Sequence, residues 1–261
     1  MERIKEALER ARQERGDAPP GARATAPAPA RPAQISYTQT RTTKVASGLL
    51  RNHRIIAGLP DSAFADAYKI LHTQVLQRLK ENNWNVLAVT SPGEDEGKTL
   101  TAINLAISLA MEVSYTVLLV DANLRHPSIH EHLGMPAGKG LSDYLLDDVP
   151  LPELLVHPEN LEHVVILPGG RAVQNSAELL NSPKMQHLVE ELKNRYPSRV
   201  VIFDLPPVLS AADALAFSPY VDAALLVLEE GKTAQDDAKR ALELLDCTNV
   251  LGTVLNKANR D

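Results

Sequence analysis

Gly97, Lys98 and Thr99 stand directly after the turn Ser91-Pro-Gly-Glu-Asp-Glu96, which itself follows the apolar run Val86-Leu-Ala-Val89. Where a buried strand ends in such a turn and a helix begins, unpaired backbone N–H groups face outward and attract a polyanion. In that setting Lys98 reaches the β- and γ-phosphates of a nucleotide, and the Thr99 hydroxyl helps to hold Mg²⁺. Gly93, Glu94, Asp95, Glu96, Gly97 and Leu100 complete the expected cradle. The loop departs from G-x-x-x-x-G-K-[ST]. Pro92 holds the place of the first glycine, Gly93 follows one position late, and Asp95 lies where the chain must approach phosphate. Taken alone, these residues also suit a surface turn ahead of a helix.

Two later segments decide between those readings. Val117-Leu-Leu-Val-Asp121 and Val200-Val-Ile-Phe-Asp204 are each four apolar residues followed by a carboxylate. Each acid therefore sits at the carboxyl end of a buried strand, the edge at which open parallel sheets bind ligands. Asp204 suits a Walker B role, holding Mg²⁺ directly or through water. Asp121 suits a second role beside the metal, orienting or deprotonating the attacking group. One strand-ending Asp merely caps a turn in many proteins. Two of them behind a Gly-Lys-Thr loop point to nucleotide binding.

Positioning these residues takes a regular alternation of elements. A helix over 62–81 leads into strand 85–90, helix 98–112 and strand 116–121, then irregular and short helical pieces over 127–156. Strand 162–167, helix 182–195, strand 199–204, a helical turn near 211–218, strand 223–228, helix 233–246 and strand 250–255 follow. Ser182-Pro183 reads as an N-cap with proline at the first helical position. The expected fold class is α/β, a P-loop nucleotide-binding domain over 61–261 whose mostly parallel sheet is covered by helices on both faces. Ahead of it, residues 1–15 read as a short helix with Ile4, Leu8 and Ala11 on a narrow stripe. Residues 16–60 read as a disordered Ala/Pro-rich linker and an irregular segment.

Composition sets the limits. At 261 residues and 44% apolar, the chain can bury one sizeable core. Cys247 is the single cysteine; it reads as a small buried residue and suits a reducing, cytoplasmic compartment. No apolar run approaches the ~18–20 residues that span a bilayer, and no signal peptide opens the chain. Residues 1–60 carry 11 Lys and Arg against 5 Asp and Glu, whereas residues 61–261 carry 16 against 28. An acidic body argues against nucleic-acid binding, and membrane contact is left to a partner or to the basic N-terminal arm. None of the eight His residues, including His126, His130 and His132, follows a zinc-ligand pattern.

The ordered set Gly97-Lys98-Thr99, Leu118-Leu-Val-Asp-Ala-Asn-Leu-Arg125-His-Pro-Ser-Ile-His130 and Phe203-Asp-Leu-Pro-Pro-Val-Leu209 resembles the bacterial tyrosine kinases of capsule and exopolysaccharide synthesis. These are relatives of the MinD/ParA ATPases. Glu178-Leu-Leu-Asn-Ser-Pro-Lys-Met185, Gly231-Lys-Thr233 and Gly252-Thr-Val-Leu-Asn256 add to the likeness, which spans about residues 60–257. Asp204-Leu-Pro-Pro and Leu100-Thr-Ala-Ile-Asn-Leu-Ala are similar to the branch found beside exosortase-type loci. The resemblance implies Mg·ATP as cofactor, with Lys98, Asp121, Asp204 and Arg125 as catalytic residues and Thr99, Asp121 and Asp204 as metal ligands. It implies adenine contact from Asn256, with a turn role as the alternative. It also implies a membrane polysaccharide co-polymerase as partner, acting at the inner membrane.

The departures carry expectations too. Asn123 replaces the second acid of the family's Asp-x-Asp, so transfer slows while binding survives. Asp66-Ala-Tyr-Lys69-Ile-Leu-His72 stands where the family's ring-forming Glu-x-x-Arg-x-x-Arg lies, which predicts weaker self-association through residues 66–72. The last tyrosine is Tyr220, so autophosphorylation of a tyrosine-rich tail is not expected. Arg125 is open between phosphate contact and a structural salt bridge. Asp213 is open between seeing the metal and capping a helix, with capping preferred. Arg171 is open between a place near the site and simple exposure. The alternatives to a kinase or ATPase are a non-catalytic ATP-dependent switch and a MinD/ParA-type positioning ATPase.

Overall fold

The computed structural model describes residues 40–57, 63–112, 115–195 and 198–258. The helix expected over 1–15 and the linker over 16–34 lie outside those residues. The strands are β1 (Arg41–Thr43), β2 (Val86–Thr90), β3 (Thr116–Asp121), β4 (Val156–Pro158), β5 (Val164–Leu167), β6 (Arg199–Asp204), β7 (Ala223–Glu229) and β8 (Asn249–Asn256). They form one sheet in the order β1-β4-β5-β3-β6-β2-β7-β8. Every pairing is parallel except β4 with β5.

Alternation along β2 explains the layers. Leu87 and Val89 point into one core with the helices α2 (Ala63–Asn82) and α3 (Lys98–Ala110), through Val75, Leu79, Ile103 and Leu105. Val86 and Ala88 point into the other core, with Leu118, Val120 and Phe203. Met185, Leu188 and Leu192 of α8 (Pro183–Arg195) and Phe217 of α9 (Asp213–Phe217) cover that second face. Ser182 caps α8 as its sequence suggests, its Oγ accepting the Met185 N–H at 3.2 Å. α10 (Gln235–Leu244) joins β7 to β8, and among the described residues the other α-helices are short: α1 (Ser47–Asn52), α4 (Ile129–His132), α5 (Leu141–Asp147), α6 (Leu151–Leu154) and α7 (Ser176–Leu180).

Of the segment expected to be irregular over 35–60, the described residues 40–57 are folded into the sheet and the core. They contribute β1 and a short helix over Ser47–Asn52, and they bury Val45, Leu50, Ile55 and Ala57. Sequence periodicity is silent there because each piece is too short to show one. The cause is tertiary: the buried Asn104 of α3 accepts the Ile56 and Ala57 N–H groups at 2.8 and 3.0 Å. Its amide donates in turn to the carbonyls of Arg54 and Leu100. β4 begins at the end of the span expected to hold irregular and short helical pieces, and Ser176–Leu180 forms a further short helix.

Candidate functional site

β2, β6 and β3 are adjacent, and their carboxyl ends form one edge. Asp121 and Asp204 are paired in register across β3 and β6, so their carboxylates share that edge. The Thr99 hydroxyl donates to Asp204 Oδ2 at 2.7 Å. Asp121 Oδ2 accepts the Ser128 and Ile129 N–H groups at 2.8 and 2.9 Å. The second oxygen of each aspartate is buried without a partner. Burial, and then the charge of Asp204, push the Asp121 carboxyl from its ordinary 3.8 up to about 7. Burial raises Asp204 as well, against the lowering influence of Lys98 and the Thr99 hydroxyl. Two carboxylates forced together in a dry site, each with a free oxygen, suit a hard divalent cation.

The loop between β2 and α3 is held from outside. The Glu96 carboxylate is buried, 3% exposed, and accepts the Gly93 N–H at 2.9 Å and the Thr233 hydroxyl at 2.5 Å. Lys232 donates to the Glu94 carbonyl and Lys257 to the Asp95 carbonyl, both at 2.7 Å. Both ammonium groups also pair with Glu229. With its outer carbonyls engaged and the Gly93 N–H held by Glu96, the loop can offer its other N–H groups to an anion. Gly97 has φ +92, and a Cβ there would stand 1.9 Å from Asn256 Nδ2.

A cavity of about 630 Å³ opens over this edge, lined by Glu94, Asp95, Gly97, Lys98, Thr99 and Leu100 from the loop and by Asn123 and Arg125 beyond β3. Gly93, Glu96 and Asn256 are not on its wall, and neither are the fully buried Asp121 and Asp204, which stand one hydrogen bond behind it on Ser128 and Thr99. Glu96 braces the loop rather than the ligand. The Asn256 amide donates to the Glu96 carbonyl at 2.9 Å. Arg125 lines the cavity and is also bound to Asp213, Nε to Oδ2 at 3.1 Å, so the two readings of Arg125 coexist. Asp213 makes no capping bond, which corrects the preferred reading of that residue. Arg171 pairs with Asp147 at 3.0 Å and does not line the cavity.

Other residues at the site were not legible as functional. Lys257, His126, His132 and Ser210 line the cavity, and Gly169 passes so close that a Cβ would lie 3.3 Å from Asp121 Cγ. Gly231-Lys-Thr233 carried a signal as a family match, but only the fold shows that it supports the loop. In the 66–72 segment, Asp66 and Lys69 pair on the surface at 2.9 Å. His72 turns inward onto Ser108 Oγ at 2.7 Å, and burial lowers its pKa. Cys247 is exposed, not buried. No helix among the described residues is long and apolar enough to cross a membrane.

No family model matches the chain. The chain is 34% identical over 199 residues to the tyrosine-protein kinase YwqD of Bacillus subtilis, covering 76% of this chain and 82% of that protein. It is 32% identical over 213 residues to the succinoglycan biosynthesis transport protein ExoP of Rhizobium meliloti, covering 80% of this chain and 27% of that longer protein. The kinase domain of the Escherichia coli tyrosine kinase ETK superposes with a TM-score of 0.74 at 25% identity, over 85% of this chain and 89% of that domain. At the identity and coverage shared with YwqD, and with this sheet and loop, the chain belongs to the bacterial tyrosine kinases of capsule and exopolysaccharide synthesis, within the P-loop ATPases.

Proposed function

We propose that the chain binds Mg·ATP at the β2–β6–β3 edge and passes the γ-phosphate to a tyrosine hydroxyl of another protein chain or to water. The observation that carries this reading is the convergence of Thr99, Asp204 and Asp121, with an unpartnered buried oxygen on each aspartate. No group of three His, Cys, Asp or Glu among the described residues could hold a metal alone. That donor set suits Mg²⁺, which keeps waters and substrate oxygens in its shell and is held by one or two carboxylates. When bound, the ion neutralises charge on the transferring phosphoryl group.

The side chains divide the remaining work. Lys98 and the loop N–H groups grip the β- and γ-phosphates, and Arg125 meets the terminal one. Asp121 would orient the attacking hydroxyl and take up its proton as the new O–P bond forms and the bond between the γ-phosphorus and the β–γ bridging oxygen breaks, with ADP as the leaving group. Asn123, on the cavity wall, lacks the charge of the family's second acid and slows this step. That residue favours a second reading, an ATP-dependent switch with little turnover. The partner we propose is a membrane polysaccharide co-polymerase at the cytoplasmic face of the inner membrane. The similarity to ExoP over a fraction of its length supports that choice. Self-association through residues 66–72 would rest on Asp66 and Lys69, because His72 faces inward.

Calorimetry with Lys98→Ala tests the site. Loss of Mg·ATP binding by at least about a hundredfold is expected, since a charge-assisted phosphate contact disappears; an unchanged affinity would end the assignment. Labelled ATP, with and without the cytoplasmic part of the partner, then separates the readings. Label on tyrosine or in free phosphate marks an enzyme, and label retained in bound ATP marks a switch.

A further inference from the structure

We infer that Asp213 is a positioning residue, fixing Arg125 so that its guanidinium faces the terminal phosphate; this rests on the nucleotide reading above. Asp213 opens α9, yet it caps nothing: the cap position is Ala212, and no side-chain bond closes the helix there. Its carboxylate is fully buried, with Oδ2 taken by Arg125 Nε at 3.1 Å and Oδ1 without a partner. Burying a carboxylate against a single donor atom is a poor way to stabilise a fold, because desolvation is recovered only when the remaining lone pairs are also satisfied. The arrangement makes better sense from the side of the arginine. Arg125 is 40% exposed and lines the cavity that also holds Lys98 and Thr99.

A free arginine on a loop must give up rotamer freedom when it meets a phosphate. One tied through Nε has given it up beforehand, and its terminal nitrogens keep the planar fork that suits phosphate oxygens. The loop after β3 carries the arginine and α9 carries its anchor. The aim of Arg125 is thereby set by the segment that follows Asp204, not by its own loop.

The test uses Asp213→Asn, which keeps the shape and removes the charge, together with Arg125→Ala and the double variant. Each is titrated by calorimetry with Mg·ADP and with a nonhydrolysable Mg·ATP analogue, after thermal melts show that it is folded. Asp213→Asn is expected to weaken the analogue about tenfold and leave ADP within about twofold, because only the γ-phosphate meets Arg125. The double variant should bind no more weakly than Arg125→Ala alone. Should Asp213→Asn fail to fold, Arg125→Lys, which keeps the charge and loses the Nε anchor, must show the same selective loss. Full additivity of the two substitutions, an equal loss for ADP and analogue, or no loss at all would overturn the inference. If Arg125→Ala itself binds the analogue normally, the contact between Arg125 and phosphate fails and the positioning role falls with it. The Lys98→Ala result stands apart from that outcome.

Discussion

Asp121 is the residue whose environment has the plainest consequence. Its carboxyl is pushed to about 7 in the folded chain, first by burial and then by Asp204, against an ordinary 3.8. A folded-state pKa above the unfolded one means that the native chain binds more protons through the interval between them. Stability from this group is therefore fully present below about pH 4 and is lost as pH rises towards 7. Asp121→Asn should flatten the metal-free stability profile over that interval by about one proton. It should also raise the melting temperature at pH 8 above that of the native chain. Denaturant titrations at several pH values, without Mg²⁺, check this; an unchanged slope would show that Asp121 is ionised throughout. Raised acids of this kind gather at sites where a cation or a proton-transfer step uses them.

At the scale of elements, what could be read from the sequence was whatever depended on a period or a local signal. β2, β3 and β6 are runs of apolar residues ended by a turn or an acid, and Ser182-Pro183 marks its helix start. Lys98, Thr99, Asp121 and Asp204 came with those ends. Hidden from the sequence was whatever depends on a distant partner. That Asn256 braces the loop shows only once β8 brings it against the Glu96 carbonyl. Asp213 looks like a cap until Arg125 reaches it. Residues 40–57 look irregular until Asn104 Oδ1 accepts from both Ile56 and Ala57. That last contact can be weighed. Asn104→Ala leaves two backbone N–H groups without acceptors, which should cost about 2–3 kcal/mol in chemical denaturation. Because Asn104 also binds the Leu100 carbonyl and Leu100 lines the cavity, a weaker Mg·ATP affinity should accompany the loss. A destabilisation under about half a kcal/mol would mean that water replaces the side chain.

For the whole molecule, the sheet order brings the ends of β2, β6 and β3 to one edge, and β7 and β8 lend lysines and a glutamate that hold the loop from behind. Under the proposed function that edge would set a phosphate cradle beside two acids, the arrangement that catalysis by positioning and charge neutralisation requires. The most direct test is a crystal structure with Mg²⁺ and a nonhydrolysable ATP analogue. The triphosphate should lie against the loop and Lys98, and Thr99 Oγ1 should leave Asp204 to join the ion at about 2.0–2.1 Å. Finding the cavity empty at saturating analogue, or filled by the Asp95 side chain with Thr99 still bonded to Asp204, would contradict the account.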